Sequence, residues 1–259
     1  MIDMSDFTFC IPCKIDTPAR QENLNDTIDF LTKHIKTNIL VGELDTIQKC
    51  KVSVSVQHLF FKDTKTYWDR TGLRNKLFQE VKTPYLVNHD MDIFTTLSAW
   101  ERTAKICRSN KYSFVFPYNG ICYYADRSFR KAILDTCASN QHLYHSSFKY
   151  TPAVIPGGSV ACRRDHCLEF GGENENFRSW GWEDWERWVR WETLGYNWSR
   201  VSLPEAVIYH IAHPTPPDSS RANPYAVSNE ALYKWIKTLS KEQLEEQINM
   251  WPWRKNFKL

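Results

Sequence analysis

The feature that most constrains the fold is the alternation of strand-like and helix-like segments over residues 1–90. Apolar runs and apolar–polar alternation predict strands, and apolar residues at helical spacing predict helices. The predicted strands are 7–12, 37–42, 51–57 and 85–90, and the predicted helices are 19–35 and 69–81, the second capped by Asp69. Strands and helices that alternate form largely parallel sheets with helices on both faces, so the sequence predicts an α/β fold.

The second part of the chain is less regular but continues the same pattern. Predicted helices cover 93–109, 183–196 and 228–239, and Gly195 ends the second of them. A further strand is predicted at 206–210. The sequence contains no internal repeat, low-complexity tract or clean linker, so we expect one domain over 1–259.

Composition and charge exclude several classes of protein. The net charge of +3 is too balanced for a surface that coats nucleic acid. No run approaches the ~18 apolar residues of a membrane span, and the start of the sequence lacks the pattern of a secretory signal. We therefore expect a soluble, cytoplasmic protein with at most a peripheral membrane contact.

The cysteines are predicted to be reduced. In the absence of a secretory signal, the eight cysteines are expected as free thiols rather than disulfides. The pairs Cys10/Cys13 and Cys162/Cys167 could hold zinc. However, Cys10 and Cys13 lie on a predicted strand with Pro12 between them, which argues against that site.

Two carboxylates, Asp90 and Asp92, follow the predicted strand 85–90. In a D-x-D segment of extended chain the two acids face the same side, so one can bind a divalent cation while the other holds a ligand hydroxyl. Ligands of parallel sheets bind at the carboxyl ends of the strands, where this pair emerges. A solvated turn would have the same sequence pattern.

Two histidines follow the predicted strand 206–210. Pro214 makes it unfavourable for that strand to continue, so the chain is predicted to turn after His210 and to bring His213 to the same place. One aspartate of the D-x-D pair with two imidazoles, two phosphate oxygens and a water would form a six-coordinate site suited to Mn²⁺. The alternative is one core histidine and one exposed histidine.

A third cluster is the sequence "WGWEDWE" at 180–186. Five of the eleven tryptophans lie between residues 180 and 191. Two acids beside tryptophan at the start of a helix suit a general base next to an aromatic platform for a sugar ring. Acids at a helix N-terminus are also favourable for electrostatic reasons alone.

Six sequence blocks together resemble the β-1,4-galactosyltransferase family and the related chondroitin-polymerase-type transferases, which have the GT-A fold. They are "CIPCK", "HDMD", "PGGSVACRRDHCLEFGG", "FRSWGWEDWE", "HIAH" and "RANP". The resemblance covers 7–235. It implies a mostly parallel Rossmann-like sheet with a smaller acceptor-side region, divided into a nucleotide-sugar-binding half (1–92), a donor, acceptor and catalytic half (93–240) and a C-terminal helix and tail (241–259).

The resemblance also implies an inverting transfer of a hexose or N-acetylhexosamine from a UDP-sugar to a glycan or lipid-linked saccharide. The cofactor would be Mn²⁺, with Mg²⁺ as an alternative, held by Asp92, His210 and His213. The nucleotide-sugar would contact Pro12, Lys14, Arg20, Arg70, Arg74, Asn75, Asp90, Met91, Gly157 and Gly158. The acceptor would contact Tyr118, Trp182 and Glu183, and Asp184 would be the catalytic base beside Glu183.

The sequence departs from the family pattern at Trp182. The two glycines that the family has between this tryptophan and the acids are missing, so Trp182 directly precedes Glu183. No counterpart of the family's disulfide or lumenal stem is evident, which indicates a bacterial or viral cytosolic relative. Two other functions fit parts of the pattern: a metal-dependent phosphoesterase using the D-x-D and the histidines, and a non-catalytic carbohydrate-binding protein using the tryptophans.

Overall fold

The structure, a computed structural model, describes residues 1–54, 56–151 and 155–257. In these ranges the helices are α1 (Pro18–His34), α2 (Arg70–Glu80), α3 (Leu97–Arg108), α4 (Arg130–Ala138), α5 (Arg164–Glu169), α6 (Glu183–Leu194), α7 (Ala226–Ile236) and α8 (Lys241–Met250). The strands are β1 (Ile2–Cys13), β2 (Ile35–Asp45), β3 (Gln57–Lys62), β4 (Tyr85–His89), β5 (Ile93–Phe94), β6 (Phe114–Phe116), β7 (Cys122–Ala125), β8 (Lys149–Thr151), β9 (Ser159–Arg163), β10 (Trp198–Arg200) and β11 (Ile208–Ile211).

The described strands form one large sheet of seven strands in the order β10-β6-β9-β4-β1-β2-β3. β1 pairs in parallel with β2 and β4, and β3 and β10 also pair in parallel with their neighbours. β9 alone among these strands runs antiparallel to both neighbours, β4 and β6. The predicted α/β fold with a mostly parallel sheet is therefore confirmed.

The helices cover both faces of this sheet because alternate residues of β1 point to opposite sides. Phe9 and Ile11 pack in one apolar core with α1 and α3, which supply Leu24 and Trp100. Cys10 packs in the other core with α2, α5 and α6. Helices on both faces bury the sheet, which is the condition for a parallel sheet to be stable.

A second, four-stranded sheet in the order β5-β11-β7-β8 adjoins the large one in the described residues. β5 pairs antiparallel with β11, so that His210 lies opposite Ile93. The amide of Ile211 donates a hydrogen bond to the carbonyl of Asp92 at 3.0 Å. This short pairing brings the segment after β4 beside the end of β11.

The predicted strand 51–57 is wrong in its position. Residues 51–54 form no strand, Ser55 lies outside the described residues, and β3 begins at Gln57. Alternating valine and serine favour a strand only where a partner edge is available. The edge of β2 is occupied from Leu40 onward by β3, and Val54 is fully exposed.

The predicted helix 93–109 begins later than expected. Ile93 and Phe94 form β5 because β11 offers them hydrogen-bond partners, and the helix starts at Leu97. Thr96 caps it, since its side chain accepts a hydrogen bond from the amide of Ala99. Residues 258–259 of the predicted C-terminal part lie outside the described residues.

Candidate active site

A cavity of about 810 Å³ opens at the carboxyl ends of β1 and β4 and beside β11. Its walls come from segments far apart in sequence, as expected for a ligand site in an α/β sheet. The predicted site residues that line it are Pro12, Arg20, Arg70, Asp90, Met91, Asp92, Gly157, Gly158, Trp182, Glu183, Asp184, His210 and His213.

Four predicted site residues lie behind or beside the wall instead: Lys14, Arg74, Asn75 and Tyr118. Lys14 forms an ion pair with Asp218 at 3.3 Å. The Asn75 amide donates to the carbonyl of Glu173 at 2.9 Å and accepts from its amide at 2.7 Å. Asn75 therefore holds the loop before α6 rather than facing the cavity.

Tyr118 was predicted to contact the acceptor, but its side chain is fully buried. Its hydroxyl lies 2.6 Å from the carbonyl oxygen of Ile155 and 2.7 Å from that of Gly157. Because a carbonyl oxygen has no proton, the Tyr118 hydroxyl must be the donor in either hydrogen bond. Tyr118 thus supports the glycine-containing wall from behind.

Asp92, His210 and His213 converge on one point of the cavity. Nε2 of His213 lies 3.0 Å from Oδ2 of Asp92, and Nε2 of His210 lies 3.6 Å from the same oxygen. All three ligand atoms fall within 4.8 Å of one another. One carboxylate oxygen and two imidazole nitrogens in this arrangement fit a divalent transition metal such as Mn²⁺.

The backbone orients the two imidazoles. β11 ends at Ile211, and the chain turns before Pro214, which places His213 beside His210 with ring centroids 5.4 Å apart. Nδ1 of His213 lies 2.9 Å from the carbonyl oxygen of Pro214. Because a carbonyl can only accept, Nδ1 of His213 carries a proton. Nε2 donates to Asp92 while the ring is protonated, and it would offer its lone pair to a cation that replaced that second proton.

The charges of this cluster reinforce each other. Burial opposes ionisation of Asp92, yet the positive charge of His210 and the hydrogen bond from His213 hold the pKa of the Asp92 carboxyl well below its usual range. Burial alone would lower the pKa of His213, but Asp92 raises it above the ordinary value. The carboxylate is therefore fully ionised at neutral pH.

Asp90 is held by two arginines of α2. Nη2 of Arg70 donates to both carboxylate oxygens, at 2.5 and 2.6 Å, and Nη2 of Arg74 donates to Oδ1 at 3.1 Å. The two arginines are four residues apart and so leave the same face of the helix. The amide of Asp90 also donates to the carbonyl of Gly158 at 2.9 Å. Both the backbone and the side chain of Asp90 are thus fixed.

Arg70 also contacts the first residue of α6. Its Nη1 donates to Oε1 of Glu183 at 2.9 Å, and the amide of Gly181 donates to Oε2 at 2.8 Å. Burial, together with the negative charge of Asp184, raises the pKa of Glu183. Arg70 therefore joins the acids that follow β4 to the acids that begin α6.

Asp184 lies between two further arginines. Nη2 of Arg187 donates to its Oδ1 at 2.7 Å and Nη1 of Arg74 to the same oxygen at 3.4 Å. Burial disfavours the charged form, but these guanidinium groups, with Arg70, outweigh it and lower the pKa of Asp184 to about 2. A Cβ atom on residue 157 would lie 2.8 Å from Oδ2 of Asp184. Only glycine leaves room for the carboxylate there.

The tryptophans divide between core and cavity. Trp191 is fully buried in the core, whereas Trp68, Trp180 and Trp185 line the cavity together with Trp182. Trp182 has a left-handed φ of +70° and stacks on Tyr233 with ring centroids 4.9 Å apart. The direct Trp182–Glu183 link is thus accommodated by a left-handed residue at the start of α6.

Several residues of the site were not predicted from the sequence. Arg187, which orients Asp184, had a usable signal, since it follows Asp184 by three residues on the same helix and so shares its face. Further cavity residues that were not predicted come from β7, from the segment between β11 and α7, or from α7, and no local pattern marks them: Tyr124, Thr215, Ser219, Arg221, Ala226, Val227 and Glu230.

Part of the chain matches a known family in sequence. Residues 139–214 match the family model described as the N-terminal domain of galactosyltransferase, and this segment contains Gly157, Asp184 and both cavity histidines. No curated protein matches the chain. None of the described helices has the length and hydropathy needed to cross a membrane.

Solved structures match the chain in fold. The catalytic domain of Drosophila β1,4-galactosyltransferase 7 in complex with xylobiose is 17% identical at a TM-score of 0.46, with 82% of this chain and 72% of that chain covered. A mutant of that enzyme in complex with manganese, UDP-Gal and xylobiose also has 17% identity and a TM-score of 0.46, with the same 82% and 72% covered. A mannosyltransferase from Pyrobaculum calidifontis in complex with GDP-Man and Mn²⁺ is 12% identical at a TM-score of 0.50, with 94% and 73% covered. The chain therefore has the GT-A glycosyltransferase fold and resembles the galactosyltransferase family over residues 139–214.

Proposed function

We propose that this protein is an inverting glycosyltransferase that uses Mn²⁺ and transfers a hexose or N-acetylhexosamine from a UDP-sugar to a glycan or lipid-linked saccharide. The observation that carries the proposal is that a cluster of metal-ligating side chains and an ionised carboxylate, Asp184, line one cavity. The GT-A fold supports a transferase, and the mannosyltransferase of similar fold is a complex with a nucleotide-sugar and Mn²⁺.

Asp92, His210 and His213 would hold the cation. Their donor set of one oxygen and two nitrogens fits Mn²⁺ and leaves positions for phosphate oxygens. The bound ion would supply Lewis-acid neutralisation of the charge that develops on the departing diphosphate.

The donor would lie against the walls fixed by α2 and by the two glycines. Arg70 and Arg74 hold Asp90 so that its remaining lone pairs can accept from a hydroxyl of the ribose or the donor sugar. Gly157 and Gly158 present backbone without side chains at the same wall, which allows a sugar to approach closely. Pro12 and Arg20 would line the nucleotide end.

Transfer would be a single displacement at the anomeric carbon. The acceptor oxygen forms the new bond, the bond from the anomeric carbon to the diphosphate oxygen breaks, and UDP leaves with the electron pair. The acceptor proton passes to Asp184. With a pKa of about 2, this carboxylate takes the proton favourably only after the acceptor oxygen has gained positive charge from bond formation. Attack from the side opposite UDP inverts the anomeric configuration.

The acceptor would rest on the aromatic platform beside α6. Trp182 is oriented by stacking on Tyr233, and Trp180 and Trp185 extend the aromatic surface of the cavity. Flat aromatic faces suit sugar rings. Glu183, whose two oxygens already accept from Arg70 and the Gly181 amide, would both order this platform and accept from an acceptor hydroxyl with its remaining lone pairs.

The parts of the chain would share this work. We propose that 1–92 supplies most of the nucleotide-sugar contacts, 93–240 the donor, acceptor and catalytic groups, and 241–259 the C-terminal support. Arg70, which holds Asp90 in the first part, contacts Glu183 of the second part directly, and all three residues line the cavity, which supports this division.

The experiment is a donor screen read by released nucleotide. The purified protein is incubated with several UDP-sugars and Mn²⁺, with and without chelator, and UDP is quantified. We expect slow release from one donor only when the cation is present. Phosphate release from a generic phosphoester would instead indicate a phosphoesterase, and glycan binding without nucleotide turnover would indicate a binding protein.

The Asp92→Ala variant tests the cation site directly. Calorimetry should show UDP binding that depends on Mn²⁺ for the natural protein and no such binding for the variant. Asp135→Ala on the exposed face of α4 is the matched control, since it removes an aspartate outside the cavity. Mn²⁺-dependent UDP binding that survives Asp92→Ala unchanged would refute the assignment.

A further inference from the structure

A second group of metal-ligating side chains lies at the carboxyl ends of β1 and β2 and at the start of β3, apart from Asp92 and its histidines. Cys13 pairs with Glu43 across β1 and β2, and His58 pairs with Val41 across β2 and β3. Val41 and Glu43 are two residues apart on one strand, so they point to the same face. Three neighbouring strands therefore direct a thiol, a carboxylate and an imidazole to one side of the sheet.

The loop after β2 adds a second thiol to this group. Oε1 of Glu43 accepts hydrogen bonds from the amides of Lys49 at 2.7 Å and Cys50 at 2.9 Å. These bonds fold Cys50 over the strand ends, and the ligand atoms of Glu43, Cys50 and His58 lie within 4.8 Å of one another. The thiol of Cys13 contacts that of Cys50 but lies outside this group of three.

Two atoms of the group lack hydrogen-bond partners in the part of the chain that the structure describes. They are Oε2 of Glu43, whose side chain is fully buried, and Nε2 of His58, which lie 3.4 Å apart. A buried carboxylate oxygen and a buried imidazole nitrogen without hydrogen bonds are unfavourable. A cation placed between them and the thiols would satisfy both.

We propose that Glu43, Cys50 and His58, joined by the adjacent thiol of Cys13, form a second metal site, which binds Zn²⁺. Two thiolates and an imidazole select zinc over the hard cations that carboxylate and phosphate oxygens bind, and zinc also accepts a carboxylate ligand. When Cys13 turns to the ion as the fourth ligand the site is closed, so its role is structural: it ties residues 46–54 to the strand ends beside Pro12. The site stands independently of the proposed transferase activity.

Cobalt substitution tests the site without any mutation. Metal-free protein is kept reduced and titrated with Co²⁺, and absorption is recorded in the near ultraviolet and visible. Thiolate ligands give a sulfur-to-cobalt charge-transfer band, whereas the cluster at Asp92 has no sulfur and gives none. We expect one equivalent of Co²⁺ to produce the band and one equivalent of Zn²⁺ to abolish it. Absence of the band would overturn the proposal and leave Glu43 and His58 as an ion pair.

Matched variants then assign the ligands. Cys50→Ser and His58→Asn should lose the band or shift it, while Asp92→Ala should keep it at one equivalent. Cys137→Ser is the control for loss of a buried cysteine, because Cys137 lies on α4 in another core and should leave the band unchanged. Circular dichroism verifies that each variant is folded. Full retention of the band in folded Cys50→Ser would also overturn the proposal.

Discussion

Asp184 shows how three guanidinium groups set the properties of one carboxylate. Arg187 and Arg74 contact its Oδ1, and Arg70 lies close enough to act through charge. These arginines are themselves buried, so each depends on the carboxylates around it. The result is a network in which Asp90, Glu183 and Asp184 compensate the charge of α2 and α6, and removal of one member leaves a buried charge unpaired.

Replacing Asp184 with asparagine should separate binding from transfer. The amide keeps the size of the side chain but cannot take the acceptor proton, so we expect transfer to fall by about 10²–10⁴-fold. UDP and metal binding should persist, because Asp92 and its histidines are untouched. Single-turnover transfer and calorimetric UDP binding are the measurements, and normal turnover by Asp184→Asn would rule out the proposed base.

The pH dependence follows from the same residue. The pKa of Asp184 is lowered to about 2, so the carboxylate is ionised throughout the neutral and mildly acidic range and is protonated only as the pH falls toward that value. We therefore expect no loss of transfer between about pH 7 and pH 5 that arises from Asp184. A rate profile for transfer, taken beside Mn²⁺-dependent UDP binding at each pH, tests this. A transfer-specific decline with a midpoint near pH 6 would contradict it.

Gly157 is predicted to be needed for the position of Asp184. A Cβ at residue 157 would lie 2.8 Å from Oδ2, so Gly157→Ala should displace the carboxylate. A shift on the scale of 1 Å can cost about 100-fold in rate. Gly195→Ala is the comparison, because residue 195 lies outside the cavity and a Cβ there meets nothing within 4 Å, so it adds only backbone strain at φ +86°. Equal transfer rates for Gly157→Ala and the natural protein would show that the backbone at residue 157 shifts to accommodate the Cβ without displacing Asp184.

The individual site residues could be predicted where a local pattern marked them, and not where the fold alone decided. The D-x-D spacing and Pro214 suggested that one acid of the pair meets His213, and the family resemblance selected Asp92 for that role. In contrast, nothing near Tyr118 shows that its hydroxyl would lie behind the wall, against the carbonyls of Ile155 and Gly157. The association of Cys13 with Cys50 also depends on a loop closure, which the spacing of Cys10 and Cys13 does not reveal.

At the scale of secondary-structure elements, α6 is the helix on which the proposed chemistry depends. It begins after Trp182 in a left-handed conformation and ends at Gly195 in another, with the Gly195 amide donating to the carbonyl of Glu192 at 3.0 Å. Both ends are set by local sequence, so this helix was predicted almost to the residue. The start of α6 determines the position of Asp184, whereas its end determines only how long the helix is.

Gly195→Ala should therefore lower stability without changing transfer. A Cβ at residue 195 meets nothing within 4 Å, so the cost arises only from the φ of +86°. For a residue other than glycine this conformation costs about 1–2 kcal/mol. Chemical denaturation should show a loss of about 1 kcal/mol for alanine and less for Gly195→Asn, since asparagine tolerates this region better. An alanine variant as stable as the natural protein would indicate that the cap relaxes.

Elements failed to match prediction where their pairing was non-local. Residues 93–94 carry a helical pattern, but β11 is more than a hundred residues further along the chain and offers them strand partners. The same reasoning applies to 51–57, whose alternation is strand-like although β2 pairs with the residues that follow. Helices with strong caps, such as α2 behind Asp69, were predictable because all their signals are local.

At the scale of the whole molecule, His89 of the large sheet lies next to the candidate site and also contributes to the pH dependence of folding stability. This residue ends β4, one position before Asp90, and is buried between Phe9 and Trp100. Its Nδ1 lies 2.9 Å from the hydroxyl of Ser159 on β9. Burial lowers the pKa of His89 to about 4, despite the opposing charges of Asp90 and Asp92. The general α/β architecture was predictable from the alternation of elements, but this coupling was not.

The sign of the resulting pH effect is determined by that lowered value. Above pH 6.5 His89 is neutral in both the folded and the unfolded protein, and its folding contribution is fully present. Between pH 6.5 and about 4 the unfolded chain binds a proton that the folded protein does not, so stability falls as the pH falls. Between pH 6.5 and about 4 the free energy of unfolding falls by about 3 kcal/mol because of His89.

His89→Gln should flatten this dependence, because glutamine can keep a hydrogen bond to Ser159 and does not titrate. The free energy of unfolding is measured by urea denaturation at several values between pH 4 and pH 7 for both proteins. Since the other titrating groups are common to both, the difference between the two curves isolates His89. We expect the variant to be less stable near pH 7 and to lose less stability on acidification. Parallel curves would mean that His89 binds its proton in the folded protein as easily as in the unfolded chain.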